Sequence, residues 1–490
     1  MRNVLADRSS LGKLMILIGL FVWTPILILP FYPQDKIYFW AFSIPSGSSI
    51  ALGGLICAFK KDKSRHLRWK WNMERSSLTV LFAWGWGVLV GALPFLLGKQ
   101  LTFIQSLFEA VSGWTTTGLS VIDVGNTPTI YLFHRSFMQY CGGLGFVLMM
   151  IQFITNKQSM DLYSAEGHPD RLLPNLKKTA HAIFFIYNSC LVLGTVAYRI
   201  AGMTWFDGVC HAMCSLSTGG FSTKLNSIGE YNSLPIEMIT IVLMLIGTTN
   251  FGALLLLAKG KVKSFFHVSE VKFMFLLLLI FVPVTAFSLA KGLEIRYLEG
   301  LRTAAFDVVS ALSTSGYSTM SYASWPHFSI GVLIVMMIIG GGIGSTAGGI
   351  KIARVYLMLR LAVTNLKKKL SASNDVEAPH YVKAQGREPI DTALAMDTTN
   401  YMFMYILVFI TGSLLMTATA NCTLTEAMFD FASALSTVGL SIGITNPTTN
   451  TATLLIEMIG MLMGRLEIFI VFTGIASGCR IIKRKLCTKQ

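Results

Sequence analysis

This chain predicts an all-α membrane protein with four pseudo-repeated helix–pore loop–helix units around one pore, plus an N-terminal two-helix hairpin. Three observations predict it. Hydrophobic residues make up 53% of the 490 and charged residues only 13%, whereas a soluble protein carries roughly 25% charged residues. Four short polar segments repeat one motif, [Ser/Thr]-Thr-x-Gly-[Leu/Phe/Tyr]-Ser, each between two long apolar segments. The basic residues gather in alternate connections rather than evenly.

The apolar segments come first in the argument because they set the topology. Candidate spans are 11–32, 37–59, 76–98, 128–155, 180–202, 234–258, 271–291, 328–360, 399–420 and 451–480, each close to the ~20 residues needed to cross a bilayer. With the N-terminus in the cytoplasm and each motif dipping in from outside, 31 of the 40 Lys and Arg fall on the inside. That is the positive-inside bias, and it places both termini in the cytoplasm. The net charge of +15 thus reports membrane topology and not nucleic-acid binding. Runs such as Lys60-Lys61-Asp62-Lys63 and Lys367-Lys368-Lys369 read as topology determinants, with docking of a cytosolic partner or anionic lipid as a second use.

The chain divides into a hairpin (1–75), repeat 1 (76–179), repeat 2 (180–270), repeat 3 (271–370), a polar cytoplasmic linker (371–398) and repeat 4 (399–490). The motif glycines are Gly118, Gly220, Gly316 and Gly439, and the longest interval contains the linker. Ten residues before them stand Phe108, Cys210, Phe306 and Phe429, followed by Glu109, His211, Asp307 and Asp430. Sixteen residues before them stand Thr102, Thr204, Gly300 and Thr423, with Gln105, Asp207, Thr303 and Glu426 three positions on. Thr-x-x-[Gln/Asp/Glu] is a helix-starting capping box or its near relative, so a short helix should begin there in three copies. The third copy lacks it.

Irregular backbone at membrane depth is tolerated only where it is buried in protein or lines a water-filled path. Four copies around one axis can turn their carbonyls inward, as cation filters do. The predicted potassium-binding residues are Thr116, Thr117 and Gly118; Thr218, Gly219 and Gly220; Thr314, Ser315 and Gly316; and Thr437, Val438 and Gly439. The glycines free the backbone to turn, and short-helix C-termini favour a cation nearby. Four helix-breaking turns with no ion are the plainer alternative. Each copy is shorter than Thr-Val-Gly-Tyr-Gly, so fewer ion sites and weaker discrimination are expected.

Two further features lie inside spans. Gly340, Gly341, Gly342, Gly344, Gly348 and Gly349 interrupt span 328–360 just before Lys351. As a phosphate cradle this run lacks the strand and soluble context it would need. It reads instead as a loop lining the permeation path, or as close helix packing through small residues. Arg465 sits near the middle of span 451–480, and an intramembrane charge is a functional candidate by default. Pairing with Glu467 on the same helix is disfavoured by the two-residue spacing. Asp123 either concentrates cations at the outer mouth or is a solvated loop carboxylate. Cys210-His211-Ala212-Met213-Cys214 has no second cluster and is a weak metal site, and the eight cysteines suggest no disulfide framework. The first span is long and shows no cleavage site, so it reads as retained. His-Glu-x-x-His, Gly-x-Ser-x-Gly and paired catalytic carboxylates are absent, which argues against an enzyme.

Four concatenated helix–loop–helix units with one glycine per loop resemble the Trk/Ktr/HKT superfamily of potassium transporters. The extra hairpin resembles the TrkH-type pore subunit of bacteria. The resemblance implies potassium as substrate, carried into the cell across the inner membrane. Gly118 places the chain on the potassium side, since serine in the first loop marks sodium-favouring plant relatives. It implies that the 340–351 loop, with Arg465 facing the pore beneath the filter, forms a gate. It further implies a homodimer seated on a cytosolic TrkA-like ring, with ATP, ADP or NAD bound to that partner and no cofactor in this chain. A gated pore driven by the membrane potential is the leading expectation. A proton- or sodium-coupled symporter, using carboxylates such as Glu109, Asp307 and Asp430, is the alternative.

Overall fold

The computed structural model describes residues 8–58, 73–145, 176–370 and 379–487. Among these, six helices are long and apolar enough to cross a membrane, and a pair bent by 114°, a broken span or a re-entrant loop, makes up to seven. The chain opens with α1 (Arg8–Trp23) and α2 (Phe39–Ala58), which pack closely. A side chain at Gly12 or Gly53 would collide with the facing backbone, so small residues set the approach of the two helices. Ser49 on α2 donates to the Met15 carbonyl at 2.7 Å and accepts from the Trp86 indole at 2.9 Å, which ties the hairpin to the first repeat.

Repeat 1 comprises α3 (Met73–Leu97), the short α4 (Phe103–Trp114) and α5 (Thr129–Leu144). The end of expected span 128–155 lies outside the described residues. Repeat 2 comprises α6 (Leu176–Ile200), the short α7 (Trp205–Leu216), then α8 (Leu234–Thr248) and α9 (Phe251–Ala258), with α10 (Val262–His267) after it. Repeat 3 runs through α11 (Ser269–Gly292), α12 (Tyr297–Leu312), α13 (His327–Ile339) and α14 (Ile352–Leu370). Repeat 4 follows as α15 (Thr392–Thr419), the short α16 (Leu424–Leu435), α17 (Thr451–Arg465) and α18 (Ile468–Cys487).

The expected linker 371–398 needs correcting in its described part. It holds an antiparallel hairpin, β1 (His380–Lys383) and β2 (Gly386–Pro389), and α15 already begins at Thr392. Tyr381 and Ile390 bury themselves against Leu357 of α14, which gives this short polar stretch a small core of its own. Among the described residues the fold is therefore helical with one β-hairpin, not purely α.

Two spans expected to be continuous, 234–258 and 451–480, are broken, and span 328–360 is interrupted where its glycines lie. The axis turns by 114° between α8 and α9, residues 340–351 separate α13 from α14, and Leu466-Glu467 separates α17 from α18. With α5 ending at Leu144 before Gly145, all four inner helices stop 23–28 residues after their motif glycine. At 248–250 the freed backbone groups find partners on the 340–351 loop. Gly342 N–H donates to the Thr248 carbonyl at 2.9 Å, Thr346 N–H to Gly247 at 3.2 Å, and Phe251 N–H to Gly344 at 3.2 Å. Tertiary bonds between two repeats replace helical ones, a substitution that periodicity within one segment does not reveal.

The short helices start where their capping residues predict. Thr102, Thr204 and Thr423 are the N-caps of α4, α7 and α16, with Gln105, Asp207 and Glu426 closing back. The third copy, without the threonine, starts earlier, at Tyr297, and runs 16 residues instead of 12. Thr423→Ala is expected to lower stability by about 1 kcal/mol, read as a reduced melting temperature in detergent with the fold retained. Two large apolar cores fill most of the described residues, one mainly of the hairpin with repeats 1 and 2, the other mainly of repeats 3 and 4.

Candidate functional site

The four short helices end in the same turn. Thr116, Thr218, Thr314 and Thr437 take left-handed φ values of 57°, 51°, 56° and 52°. The following N–H reaches back five residues in each copy: Thr117 to Ser112 at 2.9 Å, Gly219 to Cys214 at 2.8 Å, Ser315 to Ser310 at 2.9 Å and Val438 to Ser433 at 2.8 Å. This is a Schellman ending with threonine where glycine is usual. A β-branched residue at positive φ is strained, by roughly 1–2 kcal/mol each. Strain kept four times points to function.

The motif glycines follow at φ 98°, 73°, 77° and 100°. A Cβ on Gly118 would overlap the Gly219 carbonyl, one on Gly220 that of Ser315, one on Gly316 that of Val438, and one on Gly439 that of Thr117. The contacts run from repeat 1 to 2, 2 to 3, 3 to 4 and 4 back to 1. Four loops that touch in a closed cycle surround one axis. The twelve expected filter residues are thus brought together, and the threonines among them are fully buried. The Thr116 and Thr437 hydroxyls have no hydrogen-bond partner, and buried orphans of this kind call for a ligand or an explanation. On one side, a cavity of 440 Å³ opens onto Gly316 and Gly439.

Behind each loop stands the residue after the repeated Phe or Cys. Glu109 accepts from Ser120 Oγ at 3.0 Å and Val121 N–H at 3.2 Å. Asp430 accepts from Ser441 Oγ at 2.7 Å and Ile442 N–H at 2.9 Å. Asp307 accepts from Thr319 Oγ1 at 2.5 Å and Tyr322 OH at 2.6 Å. His211 takes the same place in repeat 2, with Nε2 3.0 Å from Ser222 Oγ. These groups hold the arm leaving each loop. Asp123 caps a turn, accepting from Gly125 N–H and the Asn126 amide. No group of three or more metal-ligating side chains occurs among the described residues, Cys210 and Cys214 included.

On the other side of the ring lies the 340–351 loop. It leaves and returns at one point, with Ile350 and Lys351 N–H donating to Ile338 and Ile339 at 2.9 Å each and Ile352 N–H to Gly341 at 2.8 Å. Its tip presses on the ring residues. Gly348 N–H donates to Thr314 Oγ1 at 2.8 Å, and the Thr346 and Thr218 hydroxyls are 3.1 Å apart. A Cβ on Gly348 would strike the Ser436 carbonyl, so a glycine is required there. Lys351 Nζ bonds the Ala347 carbonyl within the loop.

Arg465 clamps this loop. Nη1 donates to the Thr346 carbonyl at 2.7 Å, and Nη2 donates to Gly142 at 2.5 Å and Gly143 at 3.2 Å on repeat 1. Glu467 turns away and pairs with Arg354 at 3.0 Å, and that guanidinium lies 3.8 Å over the Tyr401 ring. The cavity among Arg465, Lys351 and the loop measures about 30 Å³, room for about two waters. The 340–351 loop occupies the space directly beneath the ring.

Sequence reading missed two inner-helix residues, Arg135 and Gln139. Arg135 pairs with Glu109 at 2.5 Å, donates to Ser120 at 2.8 Å and lies 4.1 Å over Phe221 of the next loop. The rule that singled out Arg465 also applies to Arg135, a charge inside expected span 128–155. Arg135→Leu leaves Glu109 buried and unpaired, an expected cost of about 3–5 kcal/mol. Thermal unfolding should show it, and the double variant R135L/E109L should recover much of it.

Four quasi-equivalent loops closed into a ring, in a chain of membrane-length helices, define a multi-pass membrane protein of the cation-transport class. The profile of the TrkH family, described as cation transport protein, matches residues 46–477. This chain belongs to the TrkH family, and it is accordingly a transporter and not an enzyme. It is similar to the Trk system potassium uptake protein TrkH of Halomonas elongata, 30% identical over 94% of this chain and 96% of that one. It is 29% identical to the Trk system potassium uptake protein TrkG of Escherichia coli, with the same two coverages. The crystal structure of the potassium transporter TrkH from Vibrio parahaemolyticus superposes with a TM-score of 0.81 at 26% identity, over 95% of this chain and 97% of that one.

Proposed function

We propose that this protein carries potassium into the cell across the bacterial inner membrane through a gated, selective pore driven by the membrane potential. The observation that carries the reading is the closed cycle of motif glycines against neighbouring carbonyls. Potassium sheds part of its water in the outer cavity and binds carbonyls and hydroxyls of Thr116–Gly118, Thr218–Gly220, Thr314–Gly316 and Thr437–Gly439. It then passes inward when the 340–351 loop withdraws from beneath the ring. Arg465 holds that loop shut and places a positive charge on the cation path. Potassium as substrate is supported by the names of the relatives and by glycine at all four motif positions. A cytosolic TrkA-like ring that binds ATP, ADP or NAD opens the gate, and two copies of this chain form a homodimer above it with both termini cytoplasmic.

Coupled symport is the second reading, and one observation favours it. Glu457, fully buried on α17, accepts from Thr445 Oγ1 at 2.7 Å through one oxygen, while the other has no hydrogen-bond partner. Against it, Glu109, Asp307 and Asp430 are already occupied in holding the loops. The test is cation flux into proteoliposomes under potassium or sodium gradients, at two pH values, with and without an imposed proton gradient. A potassium-selective zero-current potential that ignores the proton gradient is expected. A potential that moves with the proton gradient, and stops doing so in Glu457→Gln, establishes symport instead.

A further inference from the structure

The second loop differs from the other three in one respect that its surroundings explain. Before the motif glycine stand Thr117, Ser315 and Val438 in three copies, but Gly219 in the second. A Cβ at Gly219 would land on the side-chain amide of Gln139, and Gln139 is fully buried. The amide is bonded at both ends. Nε2 donates to the Gly219 carbonyl at 2.6 Å, and Oε1 accepts from Phe221 N–H at 3.1 Å.

Gln139 lies 21 residues after Gly118. The matching positions after the other three motif glycines are Ile241, Met337 and Gly460, none of which carries a side-chain hydrogen-bond donor. The amide and the extra glycine therefore occur together, once, in the same quarter of the ring. The carbonyl that Gln139 captures is the one lying against Gly118, a member of the closed cycle. A carbonyl that already accepts a hydrogen bond is held in place and has less negative charge to offer a cation.

We infer that Gln139 is a specificity-determining positioning residue that weakens and fixes one of the four ring carbonyls, and so sets the preference between potassium and sodium. The inference rests on the reading of the ring as a cation filter. A ring with one attenuated side has a lower field, and a lower field favours the larger, more easily dehydrated ion. Freeing the Gly219 carbonyl raises the field on that side and lets it close on a smaller ion.

The test uses the full-length protein in proteoliposomes, with Q139L and the isosteric Q139E. In Q139L the potassium-to-sodium permeability ratio is expected to fall by roughly 2- to 10-fold, the worth of one ordinary hydrogen bond. The melting temperature should fall only modestly, because Phe221 N–H loses its acceptor, and the oligomeric state should be unchanged. Q139E places a second acceptor against the carbonyl and should shift the ratio further the same way. A third arm separates space from hydrogen bonding. G219A alone should lose most flux because its new methyl meets the amide, and G219A/Q139A should regain flux without regaining the wild-type ratio. An unchanged or increased ratio in whichever Gln139 variant is recovered overturns the inference. Failure to recover folded protein from both also overturns it, since Gln139 would then be a packing residue. Wild-type protein that passes no cation at all instead overturns the filter reading on which this depends.

Discussion

Gly316→Ala is expected to cut potassium flux by more than about tenfold while leaving the membrane fold assembled. Two effects combine. The residue sits at φ +77°, where an L side chain costs roughly 1–2 kcal/mol. Its methyl would also occupy the position of the Val438 carbonyl oxygen, so either that carbonyl or the repeat 3 loop must move. Displacement worth about 1.4 kcal/mol is already a factor of ten in an equilibrium or a rate. The same substitution at Gly118, Gly220 or Gly439 meets the carbonyl of Gly219, Ser315 or Thr117 and should act alike. Flux measured with tracer potassium, alongside gel filtration and melting temperature, separates a damaged ring from a damaged fold. Wild-type flux in all four variants would show that the ring is not the ion path.

Arg465→Ala is expected to act in the opposite direction, raising flux in the absence of any cytosolic partner. The guanidinium bridges Thr346 of the 340–351 loop to Gly142 and Gly143 of repeat 1. Hydrogen bonds from a charged donor contribute about 1.5–3 kcal/mol each. Losing the two shorter of these three bonds alone shifts the closed-to-open ratio by roughly 10²–10⁴, and removal of the charge lowers the barrier to a cation as well. Arg465→Lys keeps the charge but not the fork that reaches two repeats at once, so it should leak at an intermediate level. Shortening the loop by removing Gly344–Ala347 should leak even with Arg465 in place. Basal flux unchanged in the alanine and loop variants would remove the gate assignment.

Much of this architecture can be read from the residues, and the parts that cannot share a physical cause. The capping threonines place three short helices correctly because a cap is a local device, complete within four residues. The loop-supporting role of Glu109, Asp307 and Asp430 follows from their repetition. The bend in the second inner helix is different. Nothing between Gly247 and Gly252 stops a helix as proline would, and the bend there is stabilised by bonds to residues 342–346, nearly a hundred positions away. The β-hairpin at 380–389 depends likewise on Leu357. Arg135 and Gln139 carried a signal, a strongly polar side chain inside an apolar segment, but their partners lie on a neighbouring loop. Arg465 stood out as a positive charge near the middle of an apolar segment. Its two anchors, Thr346 and Gly142, belong to other repeats, so its clamp emerges only from the folded chain.

The ring is made from one continuous polypeptide, and this bears on how the ion preference proposed for it can be inherited. In an assembly of four identical subunits, every substitution arrives in four doses, and a mild change on one wall is unavailable. Here each quarter is encoded separately. A mutation alters one ligand direction and leaves three untouched, so selectivity can be adjusted in graded steps without abolishing conduction. The price is that the quarters are free to diverge, and Gly219 beside Gln139 is such a divergence. A homologous chain could therefore be retuned toward another alkali cation one wall at a time.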